Sequence, residues 1–274
     1  MKYTPESVKE IIRERVDGKI IAAHDEKGHH YQFVETGVVV DSVTTKNILD
    51  KPHLIKWAIG LAIDFLEIND GWMRLKGPER EEMLKSAKLQ YTDVRDLAGN
   101  IGGQAHEILE EYEKAWMRTG ERPVSIMTFI KSGTPSAVIA ACRSAEKAFD
   151  KYNVIPVAAE ILVGISPIGA GTLDLVVLNQ KGELELWDHK SSNNVDDYYA
   201  IQTSAYRFFF EKMTGLKIKR TKILKIDKTS DKFKVYNVPE QRKAYDAFKA
   251  LSKVYDWKFN GQNKLIEDKI IVKI

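Results

Sequence analysis

The spacing of hydrophobic residues changes several times along the chain, and each change marks a predicted element. From Asn100 to Trp116 apolar side chains recur every three or four residues, which is typical of a helix that buries one face. Elsewhere, as in Thr172–Leu178, apolar residues follow one another with a single polar interruption, which is typical of a buried strand. The chain is therefore predicted to mix helices and strands.

Prolines and hydroxyl residues before the helical stretches, and polar clusters between the strand-like ones, give approximate bounds for these elements. Helices are predicted over 52–66, 78–97, 100–116, 135–152 and 196–213, and from 239 onward. Strands are predicted over 31–40, 154–163, 216–226 and 233–238, with a hairpin across 172–190.

This order predicts an α/β fold in which a central mixed β-sheet is flanked by helices and preceded by a helical N-terminal portion. We assign residues 1–98 to an N-terminal strand and helical portion, and residues 99–274 to a core that ends in a basic strand pair. The chain has 274 residues and is 43% hydrophobic, which suffices for a sizeable core. We expect the two portions to form one continuous domain.

Composition excludes several classes of protein. No apolar run reaches the roughly 18 residues that a membrane span needs, and the first residues lack the apolar stretch of a secretory signal. The sequence therefore predicts an intracellular, cytoplasmic protein without a membrane partner. The single cysteine, Cys142, excludes an internal disulfide and a four-cysteine metal site, and its alanine-rich surroundings predict a core position.

The net charge of +3 is too small to indicate a nucleic-acid partner, but its distribution is uneven. Nine Lys or Arg residues lie between Lys212 and Lys234, against only Asp227 and Asp231. Two interpretations remain open: a positive surface that meets phosphates, or the solvated face of a lysine-rich strand pair.

Charged residues interrupt two strands of the predicted hairpin. In Glu183–Lys190 the two-residue period places Asp188 and Lys190 on the face of Leu184 and Leu186. The preceding strand likewise carries one acid, Asp174, in an apolar run. Because burial of an uncompensated charge costs several kcal/mol, these positions call for a compensating partner.

The turn sets how the two acids face each other. If 180–182 is a three-residue loop with Gly182 in the left-handed conformation, the numbers of opposed residues sum to 362 and Asp174 lies opposite Asp188. A divalent cation would relieve the repulsion of two carboxylates that lie within ~5 Å. Alternatively, Asp188 forms a buried salt bridge with Lys190 or with an arginine elsewhere, and Asp174 is a strand-end acid.

The motifs of this region resemble the PD-(D/E)XK nuclease superfamily, in particular its RecB-like branch. The resemblance rests on Gly171-Thr-Leu-Asp174, Trp187-Asp-His-Lys190 and Gln202-Thr-Ser-Ala-Tyr206. Upstream, residues 99–106 resemble the helix that carries this branch's active-site histidine. Residues 41–52 with Trp57-Ala58 resemble the N-terminal segment of phage and mitochondrial exonucleases of this type. The matches extend from about residue 37 to 215.

The resemblance implies a restriction-endonuclease-like core and a role for each matching residue. Asp174 and Asp188 would be the primary ligands of Mg²⁺ or Mn²⁺, joined by His106 and the carbonyl of His189. Lys190 would orient the attacking water and offset charge on the phosphate. The structural alternatives are a surface lysine at a strand end and a histidine that belongs to the core.

Further residues are assigned supporting roles. Glu160 stands in an apolar strand and is a candidate third acid or a group behind the ligands. Gln202 and Tyr206 share a helix face; they either support the ligands and touch DNA or belong to aromatic packing. Ser191 and Ser192 either bond a phosphate or end the strand.

The sequence thus predicts a metal-dependent deoxyribonuclease of bacterial or phage-infected cells that acts by two-metal-assisted attack of water. An exonuclease for single-stranded or free DNA ends in replication, recombination or repair is preferred. The alternatives are a structure-specific endonuclease and a catalytically idle DNA-binding module that recruits a helicase or recombinase. A helicase, recombinase or single-strand-binding protein is expected as a partner. No iron–sulfur cluster is expected, because the four cysteines that hold one are absent.

Overall fold

The computed structural model describes residues 3–25, 28–46, 48–49 and 52–260. In these residues a five-stranded mixed sheet is flanked by helices, and a three-stranded antiparallel sheet and further helices precede it. The predicted α/β fold with a helical N-terminal portion is therefore confirmed. Among the described residues, none of the helices combines the length and apolar content that crossing a bilayer requires.

The structure contains seven α-helices in the described part of the chain. They are α1 (Pro5–Arg15), α2 (Val43–Lys46), α3 (Pro52–Ile68), α4 (Pro78–Thr119), α5 (Ser136–Tyr152), α6 (Asp197–Thr214) and α7 (Gln241–Tyr255). Short 3₁₀ turns follow α3 and α4 at Asp70–Arg74 and Ile126–Phe129, and a π-turn at Asp256–Asn260 follows α7.

The strands form two sheets. They are β1 (Ile20–Asp25), β2 (Gly28–Phe33), β3 (Val39–Asp41), β4 (Ile155–Ile165), β5 (Gly169–Leu178), β6 (Leu184–Lys190), β7 (Ile218–Ile226) and β8 (Phe233–Asn237). The large sheet has the order β4-β5-β6-β7-β8. Only β6 and β7 are parallel in it, and α6 supplies the crossover that a parallel pair needs.

Two hydrophobic cores cover the two faces of the large sheet. One contains Val8 of α1, Phe209 of α6 and Phe248 of α7. The other contains Tyr112 of α4 and Phe149 of α5, together with side chains from the opposite face of the strands. The sheet is thus held between α1, α6 and α7 on one side and α4 and α5 on the other.

The hairpin between β5 and β6 has the predicted geometry. Its loop is 180–182, Gly182 has φ 70°, and the pair Leu175↔Trp187 confirms the register sum of 362. The side-chain oxygen of Asn179 accepts hydrogen bonds from the backbone N–H groups of Lys181 and Glu183 at 2.9 and 3.1 Å. The side chain of Asn179 therefore stabilises the conformation of this loop.

The N-terminal part differs from the prediction in two respects. Helix α1 and strand β1 had no predicted counterpart, because α1 buries only Val8 and Ile12 and is otherwise rich in charge. The predicted strand 31–40 is instead two strands, β2 and β3, separated by a turn in which Gly37 has φ 68°. Within the segment 41–52 of the family resemblance, residues 47, 50 and 51 lie outside the described residues.

The helices predicted over 78–97 and 100–116 form one continuous helix of 42 residues, α4. The predicted break at 98–99 is wrong, although Gly99, Gly102 and Gly103 each cost about 1 kcal/mol relative to alanine in a helix. At Gly102 the close approach of another segment requires glycine, because a Cβ atom there would lie 2.9 Å from Ser191 Oγ, just after β6. Helix α4 therefore continues through the proposed boundary between residues 98 and 99.

Candidate active site

Three side chains from three elements converge beside the large sheet. One ligand atom each of His106 on α4, Glu160 on β4 and Asp174 on β5 lies within 4.8 Å of the others. All three residues are half-buried. An imidazole and two carboxylates at this spacing form a donor set for a divalent cation.

An irregularity in two neighbouring strands places the acids of this cluster. A strict two-residue alternation would put Ala159 and Ile161 on one face of the sheet, yet they pack into different cores. Glu160, between them, has φ 49°, in the left-handed region that costs a residue other than glycine about 1–3 kcal/mol.

The partner strand has the same break. Leu173 and Leu175 pack into different cores, and Asp174 lies between them. The pairs Ala159↔Leu175 and Ile161↔Leu173 enclose both acids. The two strands therefore change face together at Glu160 and Asp174.

Asp174 is held in its charged form. Its Oδ2 accepts a hydrogen bond from the backbone N–H of His189 at 2.8 Å. Burial raises the pKa of Asp174, but nearby Lys190, His106 and His189 outweigh it, so the pKa lies below its ordinary value. Asp174 is therefore a carboxylate at neutral pH.

Glu160 behaves in the opposite way. Burial and then the charge of Asp174 raise the pKa of Glu160 to about 8. The site thus accumulates more negative charge than its surroundings stabilise. Together with the oxygen and imidazole donors, this excess fits a hard divalent cation such as Mg²⁺ or Mn²⁺.

Asp188 is adjacent to this cluster but has another partner. Its side chain is 1% exposed, and Lys190 Nζ lies 2.6 Å from its Oδ2. Burial is the main reason that its pKa rises to about 7. The paired segment of β5 and β6 ends at Leu175↔Trp187, so Asp174 and Asp188 each lie one residue beyond it. The close contact of Asp188 with Lys190 is the salt bridge that the sequence left open as an alternative.

Lys190 contacts its own strand β6 and the helix that follows it. Its Nζ also donates to the carbonyl oxygen of His189 at 3.3 Å and lies 5.2 Å from the ring centre of Tyr199. Burial lowers the pKa of Lys190, but Asp188 and Asp174 outweigh it and raise the pKa. A permanent positive charge therefore lies beside the acids, and the His189 carbonyl predicted as a ligand faces this ammonium.

Behind the site lies a residue that the sequence did not indicate, Glu113. It is 2% exposed, and its Oε1 lies 3.7 Å from Nε2 of the buried His189. Burial lowers the pKa of His189 to about 3 and raises that of Glu113 well above its usual range. Its spacing of seven residues from His106 on α4 was the available signal, because that interval returns to the same helix face.

Gln202 and Tyr206 pack behind β5. Gln202 Nε2 donates to Tyr206 Oη at 3.1 Å, and both side chains are buried. A Cβ atom at Gly171 would lie 2.5 Å from Tyr206 Cε1, so the glycine in the motif before Asp174 makes room for the tyrosine. These residues support the strand that carries Asp174.

The serines after β6 are engaged within the protein. Ser191 lies against Gly102, and Ser192 Oγ accepts from Tyr199 Oη at 3.2 Å and donates to Asn194 O at 2.7 Å. In this arrangement they end the strand and pack it against α4.

The basic segment 212–234 is partly neutralised. Lys222 lies 2.6 Å and Arg220 3.2 Å from the buried carboxylate of Glu185, and Lys217 pairs with Glu211 at 3.1 Å. These pairs favour the structural interpretation for that part of the segment.

Comparisons with known proteins add little to this geometry. No protein-family model matches the chain, and no curated protein does. A solved structure titled "Crystal structure of SSO0001" is similar over 60% of this chain and 76% of that chain, with a TM-score of 0.29 and 12% identity.

Proposed function

We propose that this protein is a metal-dependent nuclease that hydrolyses DNA phosphodiester bonds. The observation that carries the proposal is the convergence of His106, Glu160 and Asp174 beside the Asp188–Lys190 ion pair. A cation site next to a fixed ammonium suits a substrate that carries negative charge and gains more of it in the transition state.

Each residue has a distinct task in this proposal. His106, Glu160 and Asp174 hold Mg²⁺ or Mn²⁺, which, when bound, polarises a phosphoryl oxygen and acidifies water. Lys190 donates to the attacking water and offsets charge on the phosphate. Asp188 keeps Lys190 charged and in place, and Asp174 is oriented by the N–H of His189.

The mode of cleavage is part of the proposal and rests on the motif resemblance. We favour exonucleolytic action on single-stranded or free DNA ends in replication, recombination or repair, with a helicase or recombinase as partner. A structure-specific endonuclease would use the same residues but would not require an end.

The test is digestion of end-labelled linear and circular single-stranded DNA with Mg²⁺, Mn²⁺ or EDTA. We expect cleavage of the linear DNA that needs the metal and disappears in Asp174→Asn. The matched control is Asp93→Asn, an exposed acid of α4, which should cleave like the parent. Cleavage of the circular DNA would show that the enzyme is an endonuclease rather than an exonuclease. Activity of Asp174→Asn would refute the site.

A further inference from the structure

A groove of about 580 Å³ opens between α1, α4 and β4, and Glu160 lies in its wall. Since Glu160 is also one of the three clustered donors, the groove adjoins the candidate metal site at this residue. A ligand in the groove would therefore lie next to the candidate metal site.

The wall that α4 contributes is basic. His106, Glu110, Lys114 and Arg118 follow one another at four-residue intervals along α4, and Lys114 and Arg118 line the groove. At 1.5 Å per residue, Lys114 lies about 12 Å and Arg118 about 18 Å beyond His106 along the axis. The two cations thus follow the metal site along the groove.

Both cations are accessible. Lys114 is 52% exposed, pairs with the nearby Glu110, and lowers the pKa of Glu160 through its charge. Arg118 is exposed and has no ion pair within 4 Å among the described residues. A third cation, Lys9, donates to the carbonyl of Met117 at 2.6 Å and ties α1 to α4.

The rest of the groove is mostly apolar. Ile12 of α1, Val16 just after it, Met117 of α4 and Ile161 of β4 line it, and Asp17 is the acid besides Glu160 among the lining residues. Phosphate-binding cations opposite an apolar wall suit a chain of nucleotides, because each nucleotide has a charged backbone and an apolar base face.

We propose that this groove binds the single-stranded segment next to the scissile phosphodiester, with Lys114 and Arg118 contacting its phosphates. The inference rests on the proposed nuclease function and adds the strand's path. A volume of 580 Å³ equals a cube about 8 Å on a side. A duplex, whose major groove alone is about 12 Å wide, does not fit it.

The test measures binding rather than cleavage. In the full chain carrying Asp188→Asn, the affinity for a fluorescent 12-nucleotide oligo(dT) is measured by anisotropy over a salt series. Lys114→Ala and Arg118→Ala should each weaken binding several-fold and reduce the slope of log K against log salt by about 0.7 per lost phosphate contact. Lys88→Ala, on the same helix but far from the groove, should match its parent, and a blunt 12-base-pair duplex should show no effect of any variant.

The outcomes separate the two proposals. Tight binding that Lys114→Ala and Arg118→Ala leave unchanged, in variants that melt like their parent, would overturn the groove and leave the nuclease intact. Equal losses for the duplex would overturn the single-strand assignment. No binding of either DNA by the parent would refute the nuclease proposal itself. If one alanine variant melts early, Lys114→Gln or Arg118→Gln replaces it in the same comparison.

Discussion

Four acids lie at or behind the candidate site, and their surroundings give each a different proton affinity. Asp174 has a pKa below its ordinary value, those of Asp188 and Glu160 rise to about 7 and 8, and that of Glu113 rises well above its usual range. Burial drives the three increases, whereas the charge of Lys190, followed by the effects of His106 and His189, explains the decrease of the Asp174 pKa. Only Asp174 is thus held fully ionised before a cation arrives.

At the residue scale, Lys190→Met should separate catalysis from metal binding. The cleavage rate should fall by orders of magnitude because the ammonium acts in the transition state, whereas Mn²⁺ affinity, measured by calorimetry, should change little. Lys88→Met serves as the matched control on the surface. A loss that shows only as weaker Mn²⁺ binding would give Lys190 a structural role.

Glu160→Gln should change the pH dependence of stability without metal. The pKa of Glu160 is about 8 in the folded state and near 4.5 in the unfolded state. The stabilisation that Glu160 gives the folded parent is therefore complete below about pH 4.5 and is lost as the pH rises to 8. Glutamine does not titrate, so the melting temperature of the variant relative to the parent should increase over this range. Mn²⁺ should then stabilise the parent more than the variant. A difference that stays constant with pH would contradict the assignment.

His106→Ala should weaken Mn²⁺ binding with little change in stability. His106 is half-buried and belongs to neither core, unlike its neighbour Ala105. Calorimetric titration and thermal melting, each with and without Mn²⁺, measure the two effects. A variant that is destabilised by about 1–3 kcal/mol but binds Mn²⁺ like the parent would make His106 a structural residue.

At the scale of elements, periodicity predicted the strands and helices of the large sheet closely, and turn chemistry predicted the β5–β6 register. These features depend on short-range rules that the sequence displays. Helix α1 and the unbroken α4 were not predicted, because α1 buries only two apolar residues and α4 contains three glycines that ordinarily disfavour a helix.

The same contrast applies to the site. His106, Asp174, Asp188 and the His189 carbonyl were predicted as ligands, and Glu160 as an additional acid. The structure instead groups His106, Glu160 and Asp174, and Asp188 and the His189 carbonyl contact Lys190. No local signal predicts that Glu160 adopts a left-handed φ, because that conformation is imposed by the paired strands. Glu113 was missed because a single acid on a helix is ordinarily a surface residue.

The Gly102 contact can be tested with its neighbour as control. A Cβ atom at Gly103 has open space, so Gly103→Ala should raise the free energy of unfolding by about 0.5–1 kcal/mol. Gly102→Ala should gain less or lose stability, because its Cβ meets Ser191 Oγ at 2.9 Å. The double variant Gly102→Ala, Ser191→Ala should have the stability gain that Gly102→Ala alone lacks, as measured by urea unfolding. Equal effects of both single alanines would disprove the close contact.

At the scale of the whole molecule, the sheet is enclosed by two cores, and Cys142 lies fully buried in the second. Burial also raises the pKa of its thiol to about 12. A thiol reagent at pH 8 should therefore label the protein only when it unfolds globally. Mn²⁺ should slow this labelling by binding the folded state, and EDTA should reverse the effect. Rapid labelling of the native protein would show that this core opens locally.

Helix α4 is about 63 Å long, and it is anchored unevenly. Its C-terminal half buries Ala105, Leu109, Tyr112 and Trp116, whereas Ala87 is the buried residue of its first half. Helix α3 contacts α4, and both helices contact the 3₁₀ turn Asp70–Arg74 that lies between them in the chain. In mechanical terms α4 is a cantilever, whose bending moment is largest where it leaves its clamp. His106 lies at that point, beside three glycines, so a load on the first half of α4 is felt first at the proposed metal-ligand position.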